Sequence, residues 1–384
     1  MNVLALADDA TGALEVGARF AEAGLETSVR FVADVGGYDT LVVDIETRHV
    51  PPPQAYTTVR EIAAEARRGG VQQLFKKTDS ALRGPLAAEF QALLAVFPER
   101  SIVFAPAYPS LGRTVRNGVL YVDGMPLSRT AFASDPLNPS RESSIPALLD
   151  GCGVPVVLVR NAAELRGKLC SGGGIFVCDS STDADLADVA ATIEGVSAIA
   201  AGPAALASVW AASLVGRAGS TKAKAVRLHR GQRCLVINGS LHRASQQQVG
   251  ASGIPALRHD AAARAQDLVE QLASVMRQSG WAILSANGQP MREPLAVARH
   301  AAQVTEQAIR LAEPDCLVVF GGDTVFAILR ELGVSEAEPV AEILPGTASS
   351  TISLDGRRML LVTKAGGFGG PDTLTRIREI LEKR

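Results

Sequence analysis

The sequence is short of aromatic residues and of net charge, and each shortage argues against a class of protein. Aromatic residues make up 4% of the 384 residues, which is too few to expect a base-stacking surface. Lysine and arginine total 38 against 40 aspartates and glutamates, so the formal net charge of −2 gives no attraction to nucleic acid or to an acidic membrane. We therefore expect neither nucleic acid nor a membrane as partner.

Cysteines and histidines are equally sparse. The five cysteines are an odd number without a CxxC pair, and the five histidines are scattered without an HExxH motif, which argues against a disulfide scaffold and a structural zinc site. No apolar run is as long as a membrane span. The first apolar run lacks preceding basic residues and is interrupted at Asp8 and Asp9, which is typical of a buried strand rather than a signal peptide. These features predict a cytoplasmic protein.

Short apolar runs alternate with longer amphipathic stretches along the chain. This alternation predicts an α/β protein with parallel strands covered by helices on both faces. The predicted strands are 3–7, 41–45, 71–75, 102–105, 154–159, 175–178, 234–237, 282–284, 316–320 and 359–363. The predicted helices are 12–23, 54–68, 86–97, 184–194, 262–277, 294–311, 324–332 and 372–383.

The length predicts two domains, because single hydrophobic cores rarely grow beyond about 250–300 residues. The basic, polar segment 216–232 has few periodic apolar residues and is the best linker candidate. We therefore expect one α/β domain over 1–225 and another over 226–384, each with a largely parallel sheet. Within the first, Asn117-Gly118 predicts a hairpin outside the main sheet.

Polar runs follow several predicted strands, where ligands bind in open α/β sheets. The first is ADDATGA at 7–13. The adjacent carboxylates of Asp8 and Asp9 can accept hydrogen bonds from sugar hydroxyls, act as a general base or hold Mg²⁺. One of them could instead cap the following helix, but a cap needs only one carboxylate.

A second run, KKTDSALRG at 76–84, also follows a predicted strand. Its lysines and arginine suit an anionic substrate, and Arg83 could grip a carboxylate through a bidentate fork. The alternative is a solvated turn with a helix N-cap at Ser80. A third run, PAYPSLGRT at 106–114, presents Arg113 from a stiff loop or is simply a structural loop.

Three glycine-containing turns end predicted strands in the second domain: Asn238-Gly239-Ser240, Gly321-Gly322-Asp323-Thr324 and KAGGFGG at 364–370. Glycines let backbone N–H groups approach phosphate oxygens, and a helix N-terminus adds a favourable dipole. The three turns together predict a nucleotide phosphate site, although the sequence contains neither a Walker A loop nor a GxGxxG motif after a strand.

Taken together, these runs resemble the four-carbon acid sugar kinase family. The resemblance is carried in chain order by ADDATGA, KKTDSALRG, PAYPSLGRT, the Gly-Ser turn with Gln248 after it, GGDT and KAGGFG, over nearly the whole chain. It implies an ATP-dependent kinase that phosphorylates a four-carbon sugar acid such as threonate, erythronate or an oxo-tetronate. It also implies a sugar-acid-binding N-terminal domain, a nucleotide-binding C-terminal domain and an active-site cleft between them.

The resemblance further implies roles for individual residues. The nucleotide is expected to contact Ser240, Gly321, Gly322, Asp323, Thr324, Gly366 and Gly367. The sugar acid is expected to contact Asp8, Asp9, Lys77, Asp79, Ser80, Arg83 and Arg113. The chain departs from the family at Val325, where alanine is usual, at Ser245, where threonine is common, and in the run after Gly346.

As a mechanism, we expect a terminal hydroxyl of the acid to attack the γ-phosphate of ATP while Mg²⁺ bridges the phosphates. Asp9 or Asp8 would orient and deprotonate the hydroxyl. Arg83, with Arg113 or Lys77, would hold the substrate carboxylate. A homo-oligomer is compatible with the sequence.

Other functions compete with this hypothesis. A metal-dependent hydrolase or aldolase acting on a small sugar acid would use Asp8, Asp9 and Asp79, although no histidine lies near them in the sequence. A non-catalytic two-domain protein that binds a sugar acid would explain the domains but not the glycine turns. An NAD-linked dehydrogenase is disfavoured by the absent dinucleotide fingerprint.

Overall fold

The structure is a computed structural model in which two compact units are formed. It describes residues 2–135, 138–169, 173–216, 232–259, 264–286 and 294–383. The first unit ends and the second begins within 217–231, so the boundary near residue 225 and all but the two end residues of the predicted linker lie outside the described residues. No helix within the described ranges is long and apolar enough to cross a membrane.

The first unit contains a parallel sheet and a separate, small antiparallel sheet. Its strands are β1 (Val3–Ala7), β2 (Thr27–Arg30), β3 (Thr40–Asp44), β4 (Gln73–Lys77), β5 (Ser101–Phe104), β6 (Arg113–Arg116), β7 (Val119–Val122), β8 (Met125–Pro126), β9 (Val156–Val159), β10 (Ile175–Cys178) and β11 (Ala198–Gly202). Within this unit the strands of the sheet follow the order β2-β3-β1-β4-β11-β5-β10-β9, and each described pairing between them is parallel.

Helices separate most of these strands in the chain. They are α1 (Ala10–Ala23), α2 (Pro52–Arg68), α3 (Leu86–Val96), α4 (Ile145–Leu148), α5 (Ala162–Leu169), α6 (Asp183–Ile193) and α7 (Ala204–Val215). The buried rings of Phe20 on α1, Phe75 on β4 and Trp210 on α7 lie with centroids 5.3–6.3 Å apart. This aromatic cluster fixes α1 and α7 against β4 and thereby positions the ends of β1 and β4, where the polar runs begin.

The predicted hairpin is confirmed. Strands β6 and β7 pair antiparallel, and β8 adds to them in a separate small sheet. Asn117 and Gly118 form the two-residue turn, both with positive φ (49° and 70°), as a twisted two-residue hairpin requires.

The second unit combines parallel strands with an antiparallel edge. Its strands are β12 (Cys234–Asn238), β13 (Ala256–His259), β14 (Trp281–Ala286), β15 (Cys316–Phe320), β16 (Glu336–Leu344), β17 (Thr347–Leu354) and β18 (Arg357–Lys364). Its helices are α8 (Arg243–Ala251), α9 (Ala265–Ser279), α10 (Pro294–Ala312), α11 (Gly322–Glu331) and α12 (Thr373–Glu382). The order is β13-β14-β12-β15-β18-β17-β16, with β16, β17 and β18 paired antiparallel and the others parallel.

The α/β class with largely parallel sheets is confirmed, but some predicted bounds were wrong. Strand β4 was predicted over 71–75 and ends at Lys77, so Lys76 and Lys77 lie inside the buried strand instead of after it. The sequence also missed β16 and β17, because both mix polar with apolar residues. It missed β11, which consists of alanines, one isoleucine and a glycine.

Candidate functional site

Polar side chains of the first unit meet at the carboxyl ends of three neighbouring strands. Strands β3, β1 and β4 are adjacent and parallel, so the residues at their ends lie side by side at one edge of the sheet. Asp8 and Asp9 follow β1, Arg48 lies beyond β3, and Lys77 and Asp79 lie at the end of β4. The structure therefore brings together the polar runs that were predicted from two separate parts of the chain.

The centre of this cluster is Arg48, which sequence reasoning missed. Its buried guanidinium places Nε 2.8 Å from Oδ2 of Asp8, donates through Nη1 to Asp9, and places Nη2 3.7 Å from Oδ1 of Asp79. One arginine thus faces all three aspartates, which a planar, multiply donating guanidinium is suited to do. The available signal was the polar run 46–49, directly after a predicted strand.

Asp9 caps helix α1 and also pairs with Arg48. Its Oδ1 accepts the N–H of Gly12 at 2.9 Å, so the capping alternative weighed from the sequence holds, while Oδ2 accepts from Arg48. A Cβ at Gly12 would lie 2.6 Å from Asp9 Oδ1 and 2.6 Å from Nζ of Lys77. A side chain at position 12 would therefore force Asp9 or Lys77 to move.

Buried cations hold Asp8 and Asp79 in the charged form. Burial by itself would raise the pKa of Asp8, but Arg48 and Lys77 outweigh it and lower that pKa. Burial likewise opposes ionisation of Asp79, yet Arg83 and Arg48 hold its pKa well below the usual value. Carboxylates in this state accept hydrogen bonds from hydroxyl groups but do not readily take up a proton.

The sequence predicted that the guanidinium of Arg83 would bind the substrate carboxylate. In the structure, this guanidinium makes a bidentate interaction with Asp79. The Nε and Nη2 atoms of Arg83 lie 2.8 and 2.9 Å from the two carboxylate oxygens of Asp79. The remaining Nη1 lies 3.1 Å from Oδ2 of Asp135, which belongs to the segment after the small sheet. A ligand carboxylate could therefore reach Arg83 by replacing Asp135 at Nη1.

A second group of carboxyls lies beside Asp9. Asp44 ends β3 and accepts the N–H of Glu46 at 3.2 Å, and Glu46 in turn accepts the N–H of Ala10 at 3.2 Å. Burial and the neighbouring Asp9 raise the pKa of Glu46 to about 7, and burial together with Glu46 raises the pKa of Asp44 well above its usual value. Sequence reasoning did not single out either residue, although both belong to the polar end of β3.

The two lysines of β4 have different partners, because alternate strand residues point to opposite faces. Lys77 lies 3.9 Å from Oδ1 of Asp8, inside the cluster. Lys76 is fully buried and pairs with Glu89 of α3 at 3.1 Å. Burial raises the pKa of Glu89 while Lys76 lowers it, and the net direction is upward.

Ser80 and Arg113 lie near the same edge in different settings. Ser80 is buried, but α3 begins at Leu86 after Pro85, so the alternative of a helix N-cap at Ser80 is wrong. Arg113 is buried, and its Nη1 donates to the carbonyl of Leu111 at 2.9 Å. Burial lowers its pKa, although Asp79 is among the charges that oppose this shift.

Arg113 and Arg83 share one aromatic neighbour. Their guanidinium carbons lie 5.5 and 6.0 Å from the ring centroid of Phe132, which places both arginines against the same side chain. The structure thus brings Arg113 to the cluster that the sequence predicted for it.

The three glycine turns of the second unit converge on Ser240. A Cβ on Gly366 would lie 2.2 Å from Oγ of Ser240, and one on Gly321 would lie 3.5 Å from the backbone nitrogen of Ser240. A Cβ on Gly239 would overlap Oγ1 of Thr324, at 1.8 Å. Because β12, β15 and β18 are adjacent parallel strands, their end turns lie side by side. The predicted grouping of the three turns is thus present in the fold.

Helix α11 begins within the second of these turns. Gly321 is its N-cap, with φ at 106°, and Gly322 and Asp323 are its first residues. Thr324 is buried against Gly239, which links this helix to the first turn. The helix N-terminus therefore presents backbone N–H groups at the place where the turns meet.

The third turn packs against helix α8. His242 is the N-cap of α8, and its ring lies 3.4 Å from the position of a Cβ on Gly367. Ser245 donates to the carbonyl of Gly366 at 2.7 Å, so the family's usual threonine hydroxyl is replaced by an equivalent donor. Val325 is buried in α11.

Comparison with known protein families assigns each half of the chain. Residues 3–210 match the profile of a sugar-binding N-terminal domain, and residues 235–374 match the profile of a nucleotide-binding C-terminal domain. These two matches include all the residues of the strand-end cluster and of the glycine turns.

Named relatives and a solved structure are similar to this protein over almost the whole chain. The D-threonate kinase of Bordetella bronchiseptica is 31% identical over 99% of this chain and 97% of its own length. The 3-oxo-tetronate kinase of Cupriavidus necator is 29% identical over 96% of this chain and 94% of its own. A crystal structure described as a putative tRNA synthase from Salmonella typhimurium shares the fold, with a TM-score of 0.81, 21% identity and coverage of 99% and 100%.

Proposed function

The chain belongs to the four-carbon acid sugar kinase family, and from that membership we propose that it transfers the γ-phosphate of ATP to a terminal hydroxyl of a four-carbon sugar acid. The named relatives act on D-threonate and 3-oxo-tetronate, and we propose a substrate of this class here. Cleavage of the bond between the γ-phosphorus and its bridging oxygen would release ADP. Formation of the new ester bond would release the hydroxyl proton.

The observation that carries this proposal is the convergence of three glycine turns on Ser240 beside the start of α11. Backbone amides, a hydroxyl and a helix N-terminus form a suitable site for the polyphosphate of a nucleotide. Mg²⁺ in such sites is held mainly by phosphate oxygens and water, and Asp323 is the carboxylate on these turns that could add a ligand. When bound, Mg²⁺ neutralises phosphate charge.

The strand-end cluster of the first unit supplies groups that complement a sugar acid. We propose that Asp8 and Asp9 accept hydrogen bonds from its hydroxyls, and that its carboxylate is held by Lys77, Arg113 or the Nη1 atom of Arg83. On this account Arg48 does not bind the acid, because its three donor nitrogens already face Asp8, Asp9 and Asp79.

Phosphoryl transfer depends on position and charge more than on a strong base, because its transition state is loose. We therefore propose that Asp8 or Asp9 orients the attacking hydroxyl and takes its proton late in the transfer. The lowered pKa of Asp8 fits an orienting acceptor better than an early base.

The competing metal-dependent hydrolase or aldolase is less well supported. It would need Asp8, Asp9 and Asp79 to face a shared cation, and all three face the guanidinium of Arg48 instead. An arginine at that position already neutralises the carboxylates that the alternative would use as ligands.

The proposal is tested by measuring ADP release from Mg-ATP with D- and L-threonate, D- and L-erythronate and the oxo-tetronates, against a blank without acid. Turnover that depends on one of these acids is the expected result. ADP release that is equal with and without every acid, from protein that binds ATP, would rule out this substrate class.

A further inference from the structure

In the third glycine turn of the second unit, buried side chains donate hydrogen bonds to backbone carbonyl groups. Nζ of Lys364 donates to the carbonyls of Ala365 at 2.8 Å and Phe368 at 3.0 Å, and lies 3.3 Å from that of Gly366. Ser245 adds its bond to the carbonyl of Gly366. The turn is therefore oriented by side chains beneath it and not only by its own backbone bonds.

Gln248 extends the same arrangement to the end of the turn. Its Nε2 lies 2.9, 3.1 and 3.0 Å from the carbonyl oxygens of Phe368, Gly369 and Gly370. Gln248 and Ser245 project from α8, and Lys364 ends β18; all three are 0% exposed. Gly366 and Gly367 are partly exposed, and Gly369 and Gly370 are exposed.

Because peptide groups are planar, the orientation of these carbonyls also fixes the orientation of the N–H groups that follow them. In a trans peptide the C=O of one residue and the N–H of the next point in opposite directions. Carbonyls of Ala365, Gly366, Phe368 and Gly369 that point to buried donors therefore turn the following N–H groups away from those donors. Those N–H groups belong to the glycines of the turn, and Gly366 and Gly367 lie beside Ser240 and His242.

We propose that Gln248, Lys364 and Ser245 are positioning residues. They hold the hydrogen-bonded carbonyls of the third turn inward, so that the glycine N–H groups of this turn form a preorganised site for the nucleotide's phosphates. This inference rests on the proposed function, since it assigns the phosphates of ATP to that turn. Consecutive N–H groups that face one way form an anion-binding concavity.

The position of Lys364 distinguishes this arrangement from one in which a lysine contacts phosphate directly. Its amine is buried, is bonded to carbonyl oxygens and lies 4.4 Å from the ring centroid of Phe320. Burial lowers the pKa of Lys364 to about 7, as expected for an ammonium removed from water. The lysine therefore acts on the phosphates through the turn.

The test compares the binding of a triphosphate with the binding of a nucleoside. The affinities of Mg-AMPPNP and of adenosine are measured by calorimetry for the wild type and for Gln248→Met, Lys364→Met and Ser245→Ala. Gln247→Met is the matched control, because Gln247 is the neighbouring residue on α8 and its side chain is exposed. Ser245→Ala is the smallest change, so its ligand affinities can still be measured if a larger substitution prevents folding.

We expect the Gln248 and Ser245 variants to bind AMPPNP about tenfold more weakly, while their affinity for adenosine stays unchanged. The KM for ATP should rise with them, and the KM for the sugar acid should not. A general loss of packing would weaken both ligands, which would contradict a positioning role. Folded variants with wild-type affinity for AMPPNP would overturn the inference alone, whereas a wild type that binds no AMPPNP would overturn the proposed function with it.

Discussion

Arg48 supplies positive charge that offsets the electrostatic cost of burying the aspartates of the strand-end cluster. Three aspartates would be costly to bury together without a counter-charge, and the guanidinium faces all of them. Sequence reasoning found the aspartates, because paired carboxylates after a strand are conspicuous. It missed Arg48, because pairing across 40 residues is created only by the adjacency of β1 and β3.

Replacing Arg48 should therefore destabilise the protein strongly. We expect Arg48→Met to lower the free energy of unfolding by roughly 3–5 kcal/mol at pH 7, because it removes the cation that pairs with buried Asp9 and also faces Asp8 and Asp79. Losing the cation raises the folded-state pKa of Asp8 and of Asp79, so the deficit should shrink as pH falls through those raised pKa values and protonates the two carboxylates. Urea denaturation at pH 5 and pH 7 measures both effects.

The exposed Arg60 of α2 provides the matched control. Arg60→Met should change the free energy of unfolding by no more than about 0.5 kcal/mol. If the Arg48 and Arg60 variants were equally stable, the central role assigned to Arg48 would be wrong.

Glu46 gives a separate prediction for the pH dependence of stability. Its folded-state pKa is about 7, against an unfolded value of 4.5, so the folded protein binds more protons between these values. Its contribution to stability is therefore present at low pH and is lost as pH rises from about 4.5 to 7. Glu46→Gln keeps an acceptor for the N–H of Ala10 and removes the titration.

We expect Glu46→Gln to gain stability relative to the wild type, on the order of 1–3 kcal/mol, between pH 5 and pH 8. Thermal melts across this range, with Glu61→Gln on the exposed face of α2 as control, measure the difference. Parallel stability curves for the wild type and Glu46→Gln would contradict the pKa assigned to Glu46.

At the scale of elements, the N-terminus of α1 links the fold to the site. Asp9 caps the helix, and Gly12 leaves room for Lys77 over its first turn. The sequence predicted this helix to begin at residue 12, and the structure begins it at Ala10, so that both aspartates directly precede the first turn.

Gly12→Ala should therefore damage the proposed sugar-acid site more than the proposed nucleotide site. A methyl group 2.6 Å from both Asp9 Oδ1 and Lys77 Nζ forces one of them to move, and we expect kcat/KM for the acid to fall roughly tenfold or more. The KM for ATP should remain within about twofold of the wild type. Steady-state kinetics with each substrate varied in turn separates the two.

Gly167→Ala on α5 is the control for the same substitution in a helix, since a Cβ there would have no heavy atom within 4 Å. It should leave both kinetic constants unchanged. A Gly12 variant with kinetics like those of the control would mean that Lys77 and Asp9 need not hold their positions.

Periodicity predicted most of the buried parallel strands, since they are short apolar runs, as in VLALA and CLVVF, but it missed the alanine-rich β11. It failed at β16 and β17, where Ser349 and Ser350 are buried among polar strand residues. Such strands are stabilised by their partners in the sheet, and a single sequence does not reveal those partners.

At the scale of the whole molecule, the two units carry two kinds of chemistry. The first concentrates charged side chains at its strand ends, and the second presents backbone N–H groups from glycine turns. This division was readable from the sequence, because charged runs and glycine runs fall in different halves of the chain. The structure was needed to show that the charged side chains of the first unit converge on Arg48 and that the glycine turns of the second unit converge on Ser240.

The most direct test of the central claim is to identify the product by ³¹P NMR after incubation with Mg-ATP and the preferred acid of the panel. We predict ADP and a new phosphate monoester whose phosphorus couples to two equivalent or near-equivalent protons, as an ester on a terminal CH₂–O group must. A signal coupled to a single proton would place the phosphate on a secondary hydroxyl and contradict the proposed site of transfer. ADP and inorganic phosphate without a new phosphate monoester would contradict the claim that the protein is a sugar-acid kinase.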